Sequence, residues 1–270
     1  MRIACVQMDI KFADLDKNFC AVERHVKDAA IAQADVVVFP EMWNSGFALQ
    51  QLNDLADKNG ETTKQLLTKL AKEHQINIVG GSVATKKEDG FYNTMYVANR
   101  SGSIIAEYDK AHLFKLMDEH LFLQPGQGEN LFELDSVTCG GVICYELRFP
   151  EWIRAHTLKG AKIMFIPAEW PTTRIDHWQL LLQARAIENQ CYIVAVNPVC
   201  KNPNNEFNGH SMVIAPWGEI LLSNQTEEGI YYADIDLAEV ERVRKTIPVF
   251  QDRRIDLYAK YSETTTIEEK

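Results

Sequence analysis

The chain opens on an alternation. Ile3, Cys5 and Gln7 point to one side and Ala4, Val6 and Met8 to the other, and a period of two predicts a β-strand. Arg2, Gln7 and Asp9 break up its apolar run, so the segment reads as the start of a mature domain and not as a secretion signal. The period then lengthens. Leu15, Phe19, Val22, Val26 and Ala29 recur at helical spacing, with Asp14 and Asp16 at the start, where carboxylates suit the helix dipole. Residues 35–39 form a short apolar run ending at Pro40, the pattern of a buried strand. A helix over about 61–75 leads to a strand through residues 76–81. Strands at 92–98 and 104–108 flank the Ser101-Gly102 turn, and a further pair covers 131–134 and 141–144. Helix 151–158 precedes strand 163–167, and helix 177–190 precedes strand 192–197. Residues 210–215, 220–223 and 230–235, with the Pro216-Trp217-Gly218 turn, predict a closing meander. Helices alternating with strands and hairpins predict one layered α/β domain. No repeat or linker divides it, so the domain is expected over 1–258, with residues 259–270 as a polar, frayed tail.

Composition narrows the function classes. Of 270 residues, 46% are hydrophobic and 24% charged; at this length a folded chain buries about three quarters of its surface and needs no metal or disulfide staple. The net charge of −10 weighs against a nucleic-acid partner, whose binding rests on cations meeting phosphates, and against a polybasic membrane-surface protein. No stretch approaches the roughly 18 apolar residues of a membrane span. The six cysteines, at 5, 20, 139, 144, 191 and 200, contain no CxxC pair and fit neither a zinc site nor a disulfide framework. Cys5, Cys139 and Cys191 read as small core residues. A reducing compartment, the cytoplasm, fits best. The seven histidines show no metal-binding spacing, and no Gly-rich phosphate loop or Gly-x-Ser-x-Gly occurs. No metal and no cofactor are therefore expected.

The candidate chemistry lies at the ends of strands. Cys144 closes the run Gly141-Val142-Ile143, followed by a turn into a helix. Such a turn can hold a nucleophile proud of a sheet, though burial in the core would give a cysteine the same surroundings. Glu41 follows Val-Val-Val-Phe-Pro; ligand sites of α/β sheets favour strand ends, and partial desolvation among Phe39, Met42 and Trp43 suits a general base. Taken alone, it reads equally well as a surface glutamate. Lys110, in Tyr108-Asp109-Lys110-Ala111-His112-Leu113-Phe114, and Glu119, in Asp118-Glu119-His120, say little separately.

Together they say more. Phe39-Pro40-Glu41, the Tyr108–Phe114 segment and Gly141-Val142-Ile143-Cys144-Tyr145-Glu146-Leu147-Arg148-Phe149-Pro150-Glu151 resemble, in order and separation, the Glu–Lys–Cys triad segments of the nitrilase superfamily of carbon–nitrogen hydrolases. Residues 184–190, Gly209-His210-Ser211 and Pro216-Trp217-Gly218 extend the resemblance over about residues 1–258. Within the superfamily the chain looks like the omega-amidase branch. It is closer still to bacterial members associated with methionine salvage, through Asn93-Thr94-Met95-Tyr96, residues 112–120 and Ala168-Glu169-Trp170-Pro171. It departs from that branch in carrying Glu146 where Asp is usual. Counting back from Pro125-Gly126 selects Glu119 over Asp118 as the second family carboxylate.

The resemblance implies an αββα sandwich that pairs into an eight-layer homodimer. It implies hydrolysis of the terminal amide of a small 2-oxo acid amide, such as 2-oxoglutaramate, through a cysteine thioester. Cys144 would be the nucleophile, Glu41 the general base, Lys110 an oxyanion stabiliser beside the Tyr145 N–H, and Glu119 the residue that orients them. Trp43, Tyr145, Trp170 and Arg148 are candidates for the substrate pocket, with Arg148 or Arg174 for a substrate carboxylate. Arg148 has an alternative as a partner of Glu188 or Glu151, and Arg185 with Glu188 reads as a structural i, i+3 pair. The triad alone does not separate an amidase from an N-carbamoyl amino acid hydrolase or a nitrilase, although Tyr145 after the nucleophile favours the amidase. A catalytically silent binding module would be expected to lack a triad residue, and an acyltransferase relative to carry membrane spans.

Overall fold

The computed structural model describes residues 1–262. The first half of the chain runs β1 (Arg2–Gln7), α1 (Leu15–Ile31), β2 (Val36–Val38), the single turn α2 (Leu52–Leu55), β3 (Asp57–Lys58), α3 (Glu61–His74), β4 (Asn77–Lys87), β5 (Gly90–Ala98), β6 (Ile104–Asp109) and a second single turn, α4 (Glu119–Phe122). The second half runs β7 (Leu131–Leu134), β8 (Val137–Gly141), α5 (Pro150–Leu158), β9 (Ile163–Pro167), α6 (Ile175–Asn189), β10 (Tyr192–Val196), β11 (Val199–Lys201), β12 (Glu206–Asn208), β13 (Met212–Ile214), β14 (Ile220–Leu222), β15 (Gly229–Asp234), α7 (Ala238–Thr246) and α8 (Ile255–Ser262).

Each half builds most of one sheet. The first has the order β15-β1-β2-β4-β5-β6, with β3 beside β4; the second has β14-β13-β10-β9-β8-β7. Both keep a parallel centre, β1-β2-β4 in one and β8-β9-β10 in the other, with antiparallel flanks. The alternation of β1 explains the layering. Ile3 and Cys5, with Val36 and Val38, face the second sheet and meet Phe132, Ile163 and Phe165. Ala4, Val6 and Val37 face outward onto Val22, Val26 and Ala29 of α1 and Leu67, Leu70 and Ala71 of α3. On the far side, Trp178, Leu182 and Ala186 of α6 and Ile153 of α5 cover the second sheet. The result is a four-layer αββα sandwich. Asp14 caps α1, its side chain accepting from the Lys17 N–H at 3.1 Å.

Three expectations need correcting. The closing segments are not one meander: β13 and β14 stay in the second sheet, but β15 crosses over to pair antiparallel with β1. Gln7 anchors that crossing, its side-chain amide donating to the Gln225 and Glu227 carbonyls. The strand before Cys144 ends at Gly141, and Cys144 opens a 3₁₀ turn, Cys144–Arg148. The boundary drawn at 258/259 falls inside α8, which continues to Ser262; residues 263–270 lie outside the described residues.

A bulge in β4 shapes the turn that carries Glu41. The β4–β5 register shifts between Val79 and Ser82, and the freed Ser82 N–H donates to the Pro40 carbonyl at 3.1 Å while its hydroxyl accepts from the Met42 N–H at 3.0 Å. Gly81 sits there with φ +60°, and a Cβ on it would lie 2.0 Å from the Pro40 oxygen. Gly81→Ala is therefore expected to lower stability by roughly 2–3 kcal/mol and to displace Glu41. Urea midpoints and turnover measured together check this; a variant matching wild type in both would refute the role given to the bulge.

Candidate active site

Three strand ends meet at one point. Glu41 follows β2, Lys110 follows β6, and Cys144 follows β8 by three residues. The first two come from one sheet and the third from the other. Lys110 Nζ donates to Glu41 Oε1 at 2.8 Å and to Glu119 Oε1 at 2.7 Å, and all three side chains are sealed from solvent. Asn93 Nδ2 donates to Glu41 Oε1 at 2.8 Å, and the Glu169 N–H donates to Glu41 Oε2 at 2.8 Å. The Phe114 N–H holds Glu119 Oε2 at 2.8 Å. A further backbone bond, Glu41 N–H to the Ala168 carbonyl at 3.3 Å, ties the two sheets together at the site. Cys144 is in the left-handed region at φ +48°, as is Met42 at +45°. Non-glycine residues in that region store strain and cluster at functional sites.

The electrostatics separate these groups. Burial works against the Lys110 ammonium, but Glu119 and Glu41 outweigh it and push its pKa well up, so it stays charged. Burial raises the Glu119 pKa to about 7, with Glu41 adding to the rise and Lys110 opposing it. The Cys144 thiol is pushed well above its ordinary value, first by burial and then by Glu41, with Lys110 opposing. The resting sulfur is therefore a thiol, and a base must take its proton before it attacks.

A cavity of about 230 Å³ opens on Cys144. Phe114, Met117, Tyr145, Trp170 and Pro171 form its apolar walls, and Glu169, Arg148 and Arg174 are its ionisable groups. Tyr145 stacks on Phe114 with ring centroids 4.6 Å apart. The Arg148 guanidinium lies 4.7 Å over the Trp170 ring and that of Arg174 lies 5.7 Å from the Phe114 ring. Among the described residues neither arginine forms an ion pair with an acidic side chain; Glu188 belongs to Arg185, at 2.9 Å. Burial, and then Arg174, lower the Arg148 pKa. Both arginines thus reach the cavity, where the sequence left a choice between them. Trp43 does not. Its indole N–H donates to the Gly80 carbonyl at 2.7 Å and its ring packs on Phe19, inside the helix-side core; the residue after Met42 is turned away from the site by the same tight turn that presents Glu41.

Comparison with known proteins bears on this arrangement. A family model described as carbon-nitrogen hydrolase matches residues 2–245. This chain belongs to that family. The hydrolase is 52% identical to the 2-oxoglutaramate amidase of Bacillus subtilis, over 95% of this chain and 98% of that one. It is 34% identical to human omega-amidase NIT2, over 96% of each. Among solved structures it superposes with a TM-score of 0.86 on Saccharomyces cerevisiae Nit3, a nitrilase-superfamily member 30% identical over 94% of this chain and 96% of that one.

Sequence reasoning gave no role to three residues that frame the site. Asn93 and Glu169 touch Glu41 directly. Glu146 joins the halves of the hydrolase. Its Oε2 accepts from the Ile143 N–H at 2.8 Å, closing the turn that presents Cys144. Its Oε1 accepts from the Tyr108 hydroxyl at 2.7 Å, the Ala111 N–H at 3.0 Å and the His112 N–H at 3.2 Å, on either side of Lys110. The available signal was a carboxyl or amide embedded in an apolar strand end, as in Phe165-Ile166-Pro167-Ala168-Glu169-Trp170. Glu146→Gln keeps the size but turns an N–H donor toward these donors. It is expected to lower kcat between about 10- and 100-fold, as a misplaced nucleophile does, with KM little changed. Steady-state kinetics check this, and a wild-type kcat would show that the tie between the sheets is not needed.

Proposed function

We propose that this hydrolase cleaves the terminal amide of a small 2-oxo acid amide of the 2-oxoglutaramate type to the acid and ammonia. The observation that carries the reading is the pair of arginines without acidic partners in the cavity that opens on Cys144. A substrate with an amide at one end and a carboxylate at the other satisfies both ends, since guanidinium and carboxylate pair bidentately. The likeness to the amidase of Bacillus subtilis supports the same substrate class.

In this reading Glu41 takes the proton of the Cys144 thiol as sulfur attacks the amide carbon. The tetrahedral oxyanion forms beside the Lys110 ammonium and the Tyr145 backbone N–H. Glu41 passes the proton to the departing nitrogen, ammonia leaves, and a thioester remains. Glu41 then deprotonates a water that attacks the thioester carbon and returns the proton to sulfur as the acid leaves. One carboxyl group serves twice because it faces both the nucleophile and the leaving group. Glu119 positions Lys110. Losing one oxyanion donor typically lowers kcat by about 10²–10³. No step calls on a metal or organic cofactor.

Ammonia release from 2-oxoglutaramate, 2-oxosuccinamate, glutamine, an N-carbamoyl amino acid and a simple nitrile tests the reading. The 2-oxo acid amides are expected to lead, and Cys144→Ala to lower turnover by on the order of 10⁴-fold or more. Preference for the carbamoyl compound would keep the nucleophile and overturn the substrate class.

We also propose a homodimer formed across α5 and α6. The reading is supported by Leu180 and Ile187 of α6, 68% and 50% exposed, and by Trp217, 48% exposed in the turn packed beside Ile187. Such an apolar face on a helix invites a partner. Light scattering is expected to give twice the chain mass, and Leu180→Glu with Ile187→Glu to give a folded monomer; a monomeric wild type would rule the dimer out. Among the described residues no helix is long and apolar enough to cross a membrane, and all six cysteines are free, which suits a cytoplasmic setting.

A further inference from the structure

Glu169 is a group the mechanism above does not use. It follows β9, is fully buried, and lines the cavity that opens on Cys144. Neither of its carboxyl oxygens has a hydrogen-bond partner among the described residues. The other carboxyl groups around the site are all engaged: Glu41 by Lys110, Asn93 and the Glu169 N–H, Glu119 by Lys110 and the Phe114 N–H, and Glu146 by donors on both sheets. A buried carboxyl group left alone is costly, and it stays neutral rather than ionise. Burial first, and the nearby Glu41 second, hold its pKa well above the carboxylate range. A neutral carboxyl group has an O–H to donate and a carbonyl to accept with.

Its place in the fold matters as much as its protonation. The backbone of residue 169 holds the catalytic base, and the ring of residue 170 carries Arg148. The Glu169 side chain lines the same cavity as Cys144, Arg148 and Arg174. A 2-oxo acid amide brings three polar groups. The amide goes to the triad and its oxyanion donors, and the carboxylate goes to the arginines. The 2-oxo oxygen, an uncharged acceptor lying between them, is left, and so is the unpartnered Glu169.

We propose that the Glu169 carboxyl group donates a hydrogen bond to the 2-oxo oxygen and is the residue that selects 2-oxo acid amides over the same chain without the ketone. This rests on the substrate reading above. The ligand class is a ketone acceptor flanked by a carboxylate, and glutaramate, which lacks only the ketone, is the matched control.

The test is the ratio of kcat/KM for 2-oxoglutaramate to that for glutaramate, taken on one preparation so that the folded fraction cancels. Wild type is expected to favour 2-oxoglutaramate. Glu169→Ala is expected to lower that ratio by roughly 10- to 100-fold, the loss that follows when a hydrogen-bonded substrate group goes unpaired. Glu169→Gln, whose amide still donates, is expected to keep the ratio within a few fold of wild type. An unchanged ratio in Glu169→Ala, or an equal loss on both substrates, would overturn the proposal and place the residue's effect on the triad instead. A ratio that collapses in Glu169→Gln would overturn the donor role. A wild-type enzyme that turns over both substrates equally would overturn the proposal and leave the substrate reading standing; one that releases ammonia from neither would fail at the earlier step, the substrate reading itself.

Discussion

One buried ammonium organises this protein. Lys110 sits between two carboxyl groups, and all three side chains are buried; ions taken out of bulk water are tolerated only with close, hydrogen-bonded partners. The Lys110 charge is held by Glu41 and Glu119, the Glu119 carboxyl group by the Phe114 N–H, and Glu41 by Asn93 and the Glu169 N–H. Removing one partner strands the others, so the set is kept or lost together. It also sets the chemistry. A fixed positive charge lies beside Cys144 while the sulfur itself rests as a neutral thiol. In the proposed reaction, negative charge that develops during attack meets a cation already in place.

Four glutamates share this region and each environment gives a different part. Glu41 is bonded to the lysine and linked electrostatically to the thiol. Glu119 is pushed up to about 7 by burial. Glu146 is saturated with donors and works as a rivet between the sheets. Glu169 is unpartnered. The same side chain thus appears bonded to an ammonium, raised by burial, saturated as a structural tie and left unpartnered, and the surroundings of each one decide which.

Much of this was legible beforehand. The alternation through Ile3–Met8 and the helical spacing from Leu15 correspond to β1 and α1, because period and burial are coupled on each element. The strand-end positions of Glu41, Lys110 and Cys144 pointed to one site, and the structure brings them together. Trp43 misled, since an aromatic beside the turn that carries Glu41 faces the core as readily as the cavity, and here its indole is held in the core by the Gly80 carbonyl. The crossing of β15 to pair with β1 was not legible either. A strand's partner is chosen by hydrogen bonds to residues more than two hundred positions away, and no local period records them.

The sequence by itself determined the elements, the family and the chemical types at the site, because those depend on local spacing and on which side chains are present. Tertiary structure alone decided which groups are charged, which are paired and which stand free. Arg148 and Arg174 were equivalent as letters; only the cavity shows that both reach it without an acidic partner. Glu146 and Glu169 were two acids without an assigned role; only packing gives one several donors and the other none. Protonation and pairing are set by distance and desolvation, and both belong to the folded chain.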